Sequence, residues 1–306
     1  MVPTLFVLSF IVFMLLYLAP GDPVMALITP DAPKEAIELM RQKFGLNVPV
    51  HQRYFNWLLE LLKGNLGFSY STGRPVLEMI LVRLPATFEL MGFSILFSTI
   101  IGVWLGLYMG MRPNSLADRS LLVTSMVILS VPQFFISLAL IYVFSIKLGW
   151  LPVGGRTPLS GATLEHLKHL LLPCSVLTLT MLVDLMRYTR ANVIAEAGKP
   201  YVRTAIAKGL TEERVYLVHV FRNASIPVIV VLILRLVRLV GGVVVVESVF
   251  SWPGMGTLLV NAINNRDYPV VLGVLFITGV AVLIASLLID LVTALVNPKV
   301  RLGFER

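Results

Sequence analysis

Apolar residues in this chain gather into long runs, with polar residues held between them. Six runs can be read, at about 3–20, 86–110, 120–146, 169–186, 227–247 and 270–296. Each is close to or above the ~20 residues a helix needs to cross roughly 30 Å of hydrocarbon. In lipid every backbone polar group must be satisfied within the segment, so the runs predict membrane helices. The first ends at Ala19-Pro20-Gly21-Asp22-Pro23, where two prolines stop the helix and the polar chain begins. Only Met1 and Val2 precede it, without the basic start and small-residue site of a cleaved signal. It reads as an uncleaved first span.

Composition sharpens this reading. Of 306 residues, 57% are hydrophobic and 14% charged, with a mean hydropathy of +0.86. A soluble chain is nearer a quarter charged and cannot hide so much apolar surface in one core. A soluble enzyme, a disordered tail and a nucleic-acid module are excluded. What remains is an all-α integral membrane protein of six spans.

The net charge of +8 follows the same division. Segments 111–119, 187–226 and 297–306 hold twelve Lys/Arg in 59 residues, against four in 44 for 147–168 and 248–269. Short basic loops face the cytoplasm, so both termini are expected there too. No basic run is interleaved with exposed aromatic residues, which argues against nucleic acid.

Candidate chemistry is sparse. Cys174 is the one cysteine and lies within a span, so neither a disulfide nor a multi-cysteine metal site can form. His166 and His169 are spaced i, i+3, which suits an interfacial helix face better than a metal lacking a third ligand. Gly198-Lys199 runs into Pro200, and Gly254-Met255-Gly256 lacks a third glycine, so neither is a phosphate loop. The sequence predicts no catalytic, cofactor or metal residues.

Three polar segments carry the remaining information. In 21–85, expected outside the cytoplasm, helices are predicted from Lys34 to Phe44, closed by Gly45, and from Pro49 to Lys63. In 187–226, seven basic residues stand against three acidic ones. Pro200 is placed to start a helix, Gly209 to end it in the left-handed conformation, and Thr211 to cap a second helix through Glu212 and Glu213. Val215, Leu217, Val218 and Phe221 give that second helix an apolar side. Two short helices hinged at glycine make a knob too small to stand alone. In 248–269, Trp252-Pro253-Gly254 breaks the chain, and Trp252 and Tyr268 are expected at headgroup level.

These residues resemble a known family. The chain looks like the permease subunit of a peptide-type ATP-binding-cassette importer, of the dipeptide, oligopeptide and nickel branch. The fragments that carry the likeness run in order along nearly the whole chain. They begin with Leu18-Ala19-Pro20-Gly21-Asp22-Pro23, Phe44-Gly45-Leu46, Gly64-Asn65-Leu66-Gly67-Phe68-Ser69 and Leu84-Pro85-Ala86-Thr87. Leu148-Gly149-Trp150-Leu151-Pro152 follows. The strongest fragment runs from Tyr201 to Leu210, with Arg222-Asn223-Ala224 and Ile226-Pro227 after it. Glu247 to Gly256 and Asn265-Arg266-Asp267-Tyr268-Pro269 complete the series.

The resemblance implies a type I importer permease fold. A first span at 1–20 and an extracytoplasmic helical segment at 21–85 would precede a five-helix core at 86–296, followed by a cytoplasmic tail at 297–306. It implies no catalysis by this chain, with energy from two separate ATPase subunits. A second permease, as a heterodimer, and an extracytoplasmic binding protein would complete the complex in the plasma membrane of a bacterium or archaeon. Tyr201, Arg203, Thr204, Ala205, Lys208, Gly209, Leu210 and Arg222 match the family's ATPase-coupling loop. Of the general signature, Ala205 and Gly209 keep the residue type, and the rest follows the peptide branch. The family usually has basic residues before Pro3-Thr4-Leu5-Phe6 and this chain has none, so whether residue 1 is the native start stays open. Cargo stays open among dipeptide, oligopeptide, glutathione and a nickel complex.

Arg235 and Arg238 are a reading of this sequence alone. They fall 8 and 11 residues after Pro227, on one side of the fifth span and near mid-bilayer. A charge at that depth should face protein or water and have a partner. Passing contacts to a substrate carboxylate and a structural ion pair, for instance with Asp184, both satisfy that demand. An ion-coupled secondary transporter is the alternative class. It would require an internal repeat and membrane carboxylates, for which Asp184 and Asp290 are the candidates.

Overall fold

Proline and glycine set most helix ends in the structure, a computed structural model. It describes residues 2–18, 21–25, 27–28, 33–157 and 163–296, without the side chains of 2, 163, 226, 230, 233–242, 289–290 and 292–296. The chain divides into two compact units: residues up to Thr87 with Pro253–Leu283, and Phe88–Trp252 with the chain from Ile284.

The first unit holds α1 (Val2–Leu18), α2 (Lys34–Lys43), α3 (Val50–Leu62), the start of α4 (Val76–Met111), α11 (Met255–Asn264) and the start of α12 (Tyr268–Val296). The helices expected in 34–44 and 49–63 are present, with Pro33 and Pro49 one position before each start. Gly45 leaves α2 with φ +66°, and the Leu46 amide donates back to the Arg41 carbonyl at 2.8 Å. Tyr54 joins α3 to α1. Its buried ring meets the edges of Phe6, Phe10 and Phe13, with centroids 6.0, 5.4 and 5.3 Å away. Its hydroxyl lies 3.0 Å from the Ser9 hydroxyl. A core of Leu66, Val76, Ile80, Leu258, Val270 and Val274 fills the remainder. Asp267, buried between α11 and α12, ties down the 67–73 turn: it accepts from the Ser69 and Ser71 hydroxyls and the Tyr70 amide at 2.5, 2.7 and 2.9 Å.

The second unit contains the rest of α4, then α5 (Leu116–Ser130), α6 (Gln133–Leu140) with a π-helical extension Ile141–Lys147, and α7 (Thr163–Ala197). The short helices α8 (Pro200–Ala207) and α9 (Glu212–Arg214), a π-helical turn Val215–Val220, and α10 (Phe221–Val249) follow. α7 is the centre, packed against α5, α6 and α10.

All six apolar runs coincide with helix among the described residues, with three corrections. The run at 120–146 is not one straight span. It breaks before Pro132 and turns by 100°, because Val131 is extended (φ −95°, ψ 122°) and proline has no amide to continue the ladder. The runs at 86–110 and 169–186 are parts of longer helices of 36 and 35 residues. At about 1.5 Å per residue each is near 50 Å long and must project beyond the hydrocarbon. Pro85 and Pro173 interrupt one hydrogen bond each without ending them. Finally, the second helix of the 187–226 knob is not separate: α9 passes through the π-turn directly into α10.

By length and apolarity α4, α7 and α12 can each cross a membrane, and the bent α5–α6 pair adds a fourth crossing if it forms one span. The tail 297–306 lies outside the described residues, as does the side chain of Asp290.

Candidate functional site

The knob predicted from the sequence is the best-defined candidate. Pro200 supplies the fixed φ of the first helical turn, after Lys199 in extended conformation. At the other end the Gly209 amide donates to the Ile206 carbonyl at 2.9 Å and the Leu210 amide to the Ala205 carbonyl at 3.4 Å, a Schellman closure. It requires a left-handed residue, and Gly209 has φ +82°. Thr211 occupies the cap position, but its side chain makes no capping bond, contrary to expectation.

One side of the knob is core. Val202 of α8, Val215 and Val220 of the π-turn and Ala224 of α10 bury against Leu107 of α4 and Val193 of α7. Each valine hidden this way contributes about 1.5–3 kcal/mol. Leu217 and Val218, expected inside, are exposed because the wide π-turn rotates them outward.

Polar bonds fasten the same joint. The Tyr201 hydroxyl donates to Glu196 at 2.9 Å and accepts from the Asn223 amide at 3.2 Å. The tyrosine thereby bridges the last turn of α7 to the first turn of α10. Lys199 also reaches Glu196, at 2.5 Å. Burial pushes the Tyr201 phenol above its ordinary value, and its bond to Glu196 acts the same way against that from Asn223. The hydrogen bond to Glu196 likewise raises Lys199.

Of the predicted residues, Tyr201, Ala205 and Leu210 lie on the inner, half-buried side. Arg203, Thr204, Lys208, Gly209 and Arg222 are exposed, with Ile206 between them. The free surface is thus basic with an apolar patch. Arg235 and Arg238 fall in α10 where side chains lie outside the described residues.

Two ionic joints in the second unit escaped sequence reasoning. Buried Asp118 accepts a two-pronged bond from Arg190, at 2.5 Å to Nε and 2.8 Å to the terminal nitrogen, and a third from the Asn114 amide at 2.8 Å. This pins the start of α5 to α7, one turn above the knob core. Breaking a buried pair by removing one charge costs about 3–5 kcal/mol. Asp118→Asn is therefore expected to lower the thermal midpoint of the purified protein sharply, with partial recovery in Asp118→Leu/Arg190→Met. An unchanged midpoint in the single variant would contradict that.

At the opposite end of α7, Glu89 accepts from Arg156 Nε at 3.0 Å and binds His166 Nε2 through its other oxygen. His166 Nδ1 faces the Thr157 carbonyl at 2.9 Å and must donate to it, since a carbonyl only accepts. His166 is buried, not interfacial, whereas His169 is half-buried. Trp252 closes the cluster, with the Arg156 guanidinium 5.8 Å from its ring. It is fully buried, which corrects its expected place among headgroups: packing against Arg156 and His166 replaces the interface.

None of these groupings provides a nucleophile beside a base, and no set of three metal-ligating side chains occurs among the described residues. They are joints between long helices. The family described as binding-protein-dependent transport system inner membrane component matches residues 102–302, and its N-terminal companion matches residues 1–91. The chain belongs to this family. The oligopeptide transport system permease protein AppB of Bacillus subtilis (strain 168) is 37% identical over 302 residues, covering 98% of this chain and 96% of that protein. A putative peptide permease protein of Brucella suis biovar 1 is 38% identical over 302 residues, covering 97% and 95%. The glutathione transport system permease protein GsiC of Escherichia coli (strain K12) is 35% identical over 301 residues, covering 98% and 96%. The crystal structure of an amino acid ABC transporter with histidines aligns with a TM-score of 0.55 at 17% identity, over 71% of this chain and 94% of that one. The permease therefore has the type I importer fold, and its knob lies inside the family match.

Proposed function

We propose that the permease forms half of the translocation pathway of an ATP-driven importer of peptides, or of a related solute such as glutathione or a nickel complex. A second permease supplies the other half, most simply as a heterodimer. Two ATPase subunits engage the knob 199–223 from the cytoplasm, and a binding protein delivers cargo from outside. Both termini face the cytoplasm.

The observation that carries this reading is the construction of α8. Its inner side is fused to the ends of α4, α7 and α10 through one apolar core, while its outer side presents Arg203, Ile206 and Lys208. A protein that grips the outer side moves three long helices together. Closure of the ATPases on ATP then shifts the population between inward- and outward-open pathways, and cargo needs no tight site on the way. Arg235 and Arg238 are proposed to line that pathway.

Lys63→Cys at the exposed end of α3 should react with an impermeant thiol reagent from outside. Glu212→Cys should react only after permeabilisation, and should cross-link to an ATPase subunit in the assembled complex. The reverse labelling pattern would overturn the orientation, and absence of the cross-link would remove the docking role.

A further inference from the structure

The first unit contains a half-open cavity of about 920 Å³, within the size range of small-molecule sites. One wall is apolar, built from Phe13 and Leu16 of α1 and Leu272 of α12. The rim is cationic, from Arg41 and Lys43 at the end of α2 and Arg53 of α3, against a single carboxylate, Asp22. Asp22 is already paired with Arg41 at 2.6 Å. Lys43 and Arg53 have no ion pair or side-chain hydrogen bond among the described residues. The cavity thus keeps two cations outside any ion pair beside an apolar wall.

Its depth follows from the same residues. Tyr17 lies in the last turn of α1 and Tyr268 opens α12, and both line the cavity. The outer surface of α1 at Val7, Ile11 and Leu15 is apolar and exposed, as a lipid-facing helix requires. The cavity therefore sits where two apolar helices give way to polar chain, at headgroup level.

We propose that this cavity binds the headgroup and glycerol backbone of an anionic phospholipid. The phosphodiester pairs with Lys43 and Arg53, and the first acyl carbons lie along Phe13, Leu16 and Leu272. An acyl chain can follow this wall out of the bilayer, which a peptide arriving from water has no need of. The site rests on the chain's place in a membrane and is independent of the transport reading.

The test is native mass spectrometry of the assembled complex, delipidated and then offered phosphatidylglycerol or phosphatidylcholine. Two cations near a membrane surface should give at least about tenfold preference for the anionic lipid. Lys43→Gln/Arg53→Gln should lose most of it, and Arg53→Lys should keep it. Neither cation has an ion pair or side-chain hydrogen bond among the described residues to lose, so assembly should persist. Equal retention of the two lipids by the unaltered complex would overturn the proposal without any variant. So would an undiminished preference in the double variant. Displacement of the lipid by glycerol phosphate, inorganic phosphate or a short acidic peptide would assign the cavity to a free anion or a peptide and overturn the lipid site.

Discussion

Gly106→Leu is expected to remove folded protein from the membrane almost completely, whereas Gly92→Leu, fourteen residues earlier on α4, should be tolerated. The difference lies in what a Cβ would meet. At Gly106 it would fall 2.5 Å from the Met186 carbonyl oxygen and 2.6 Å from Thr189 Cβ; at Gly92 nothing lies within 4 Å. Gly102 and Gly110 flank it at four-residue spacing and also face α7: a Cβ there would fall 3.0 Å from the Leu182 carbonyl oxygen and 2.6 Å from Val193 Cβ. Helices in lipid associate through close van der Waals contact, and a row of small residues is what lets two backbones meet. At Gly106 the obstacle is the backbone of α7, which cannot rotate aside. The two helices must separate instead. Overpacking costs typically 1–3 kcal/mol where side chains can yield, so the loss should be larger here. Separation would also pull Val193 and Arg190 from the knob core and from Asp118. Size-exclusion profiles of the two variants in mild detergent measure the effect, and a normal profile for Gly106→Leu would contradict a close α4–α7 joint.

Local stop and start signals were legible in the sequence because they act through single residues. Gly45 and Gly209 end their helices in the left-handed conformation, as expected from their places after amphipathic runs. The bend at Val131-Pro132 was hidden by apolarity: a hydropathy run records what solvent a segment prefers, not whether it is straight. The proline itself was the available signal. Long-range joints were not legible at all. Asp118 and Arg190 are 72 residues apart, Glu89 and His166 are 77 apart, and nothing local in either segment names the partner. Trp252 was misplaced for the same reason, since its preference for an interface gives way once Arg156 and His166 offer it a buried polar setting. The glycine row at 102, 106 and 110 stood in plain view as a small-residue stripe, but only the fold shows α7 against it.

Gly209→Val should leave the complex assembled and nearly abolish its ATP-driven transport. A Cβ at this position meets nothing within 4 Å, so the substitution creates no clash and strands no core residue. Its entire effect is on the backbone, where φ +82° is an outlier for a β-branched residue. Holding valine there costs of order 1–3 kcal/mol, which the turn can avoid by unwinding the closure after α8. Unwinding frees the Leu210 and Gly209 amides from Ala205 and Ile206 and lets α8 tilt against its core. The ATPases would then push on an element no longer rigidly joined to α4, α7 and α10.

Uptake of labelled peptide into proteoliposomes holding the full complex, with binding protein and ATP supplied, measures that joint directly. Transport by the unaltered complex should depend on both ATP and the binding protein. In Gly209→Val complexes of equal subunit content it should fall at least about tenfold, as expected if a strain of about 1.4 kcal/mol or more falls on the coupled state, while ATP hydrolysis persists. Equal uptake by the two complexes would show that the knob is only a connecting loop and contradict its role in coupling.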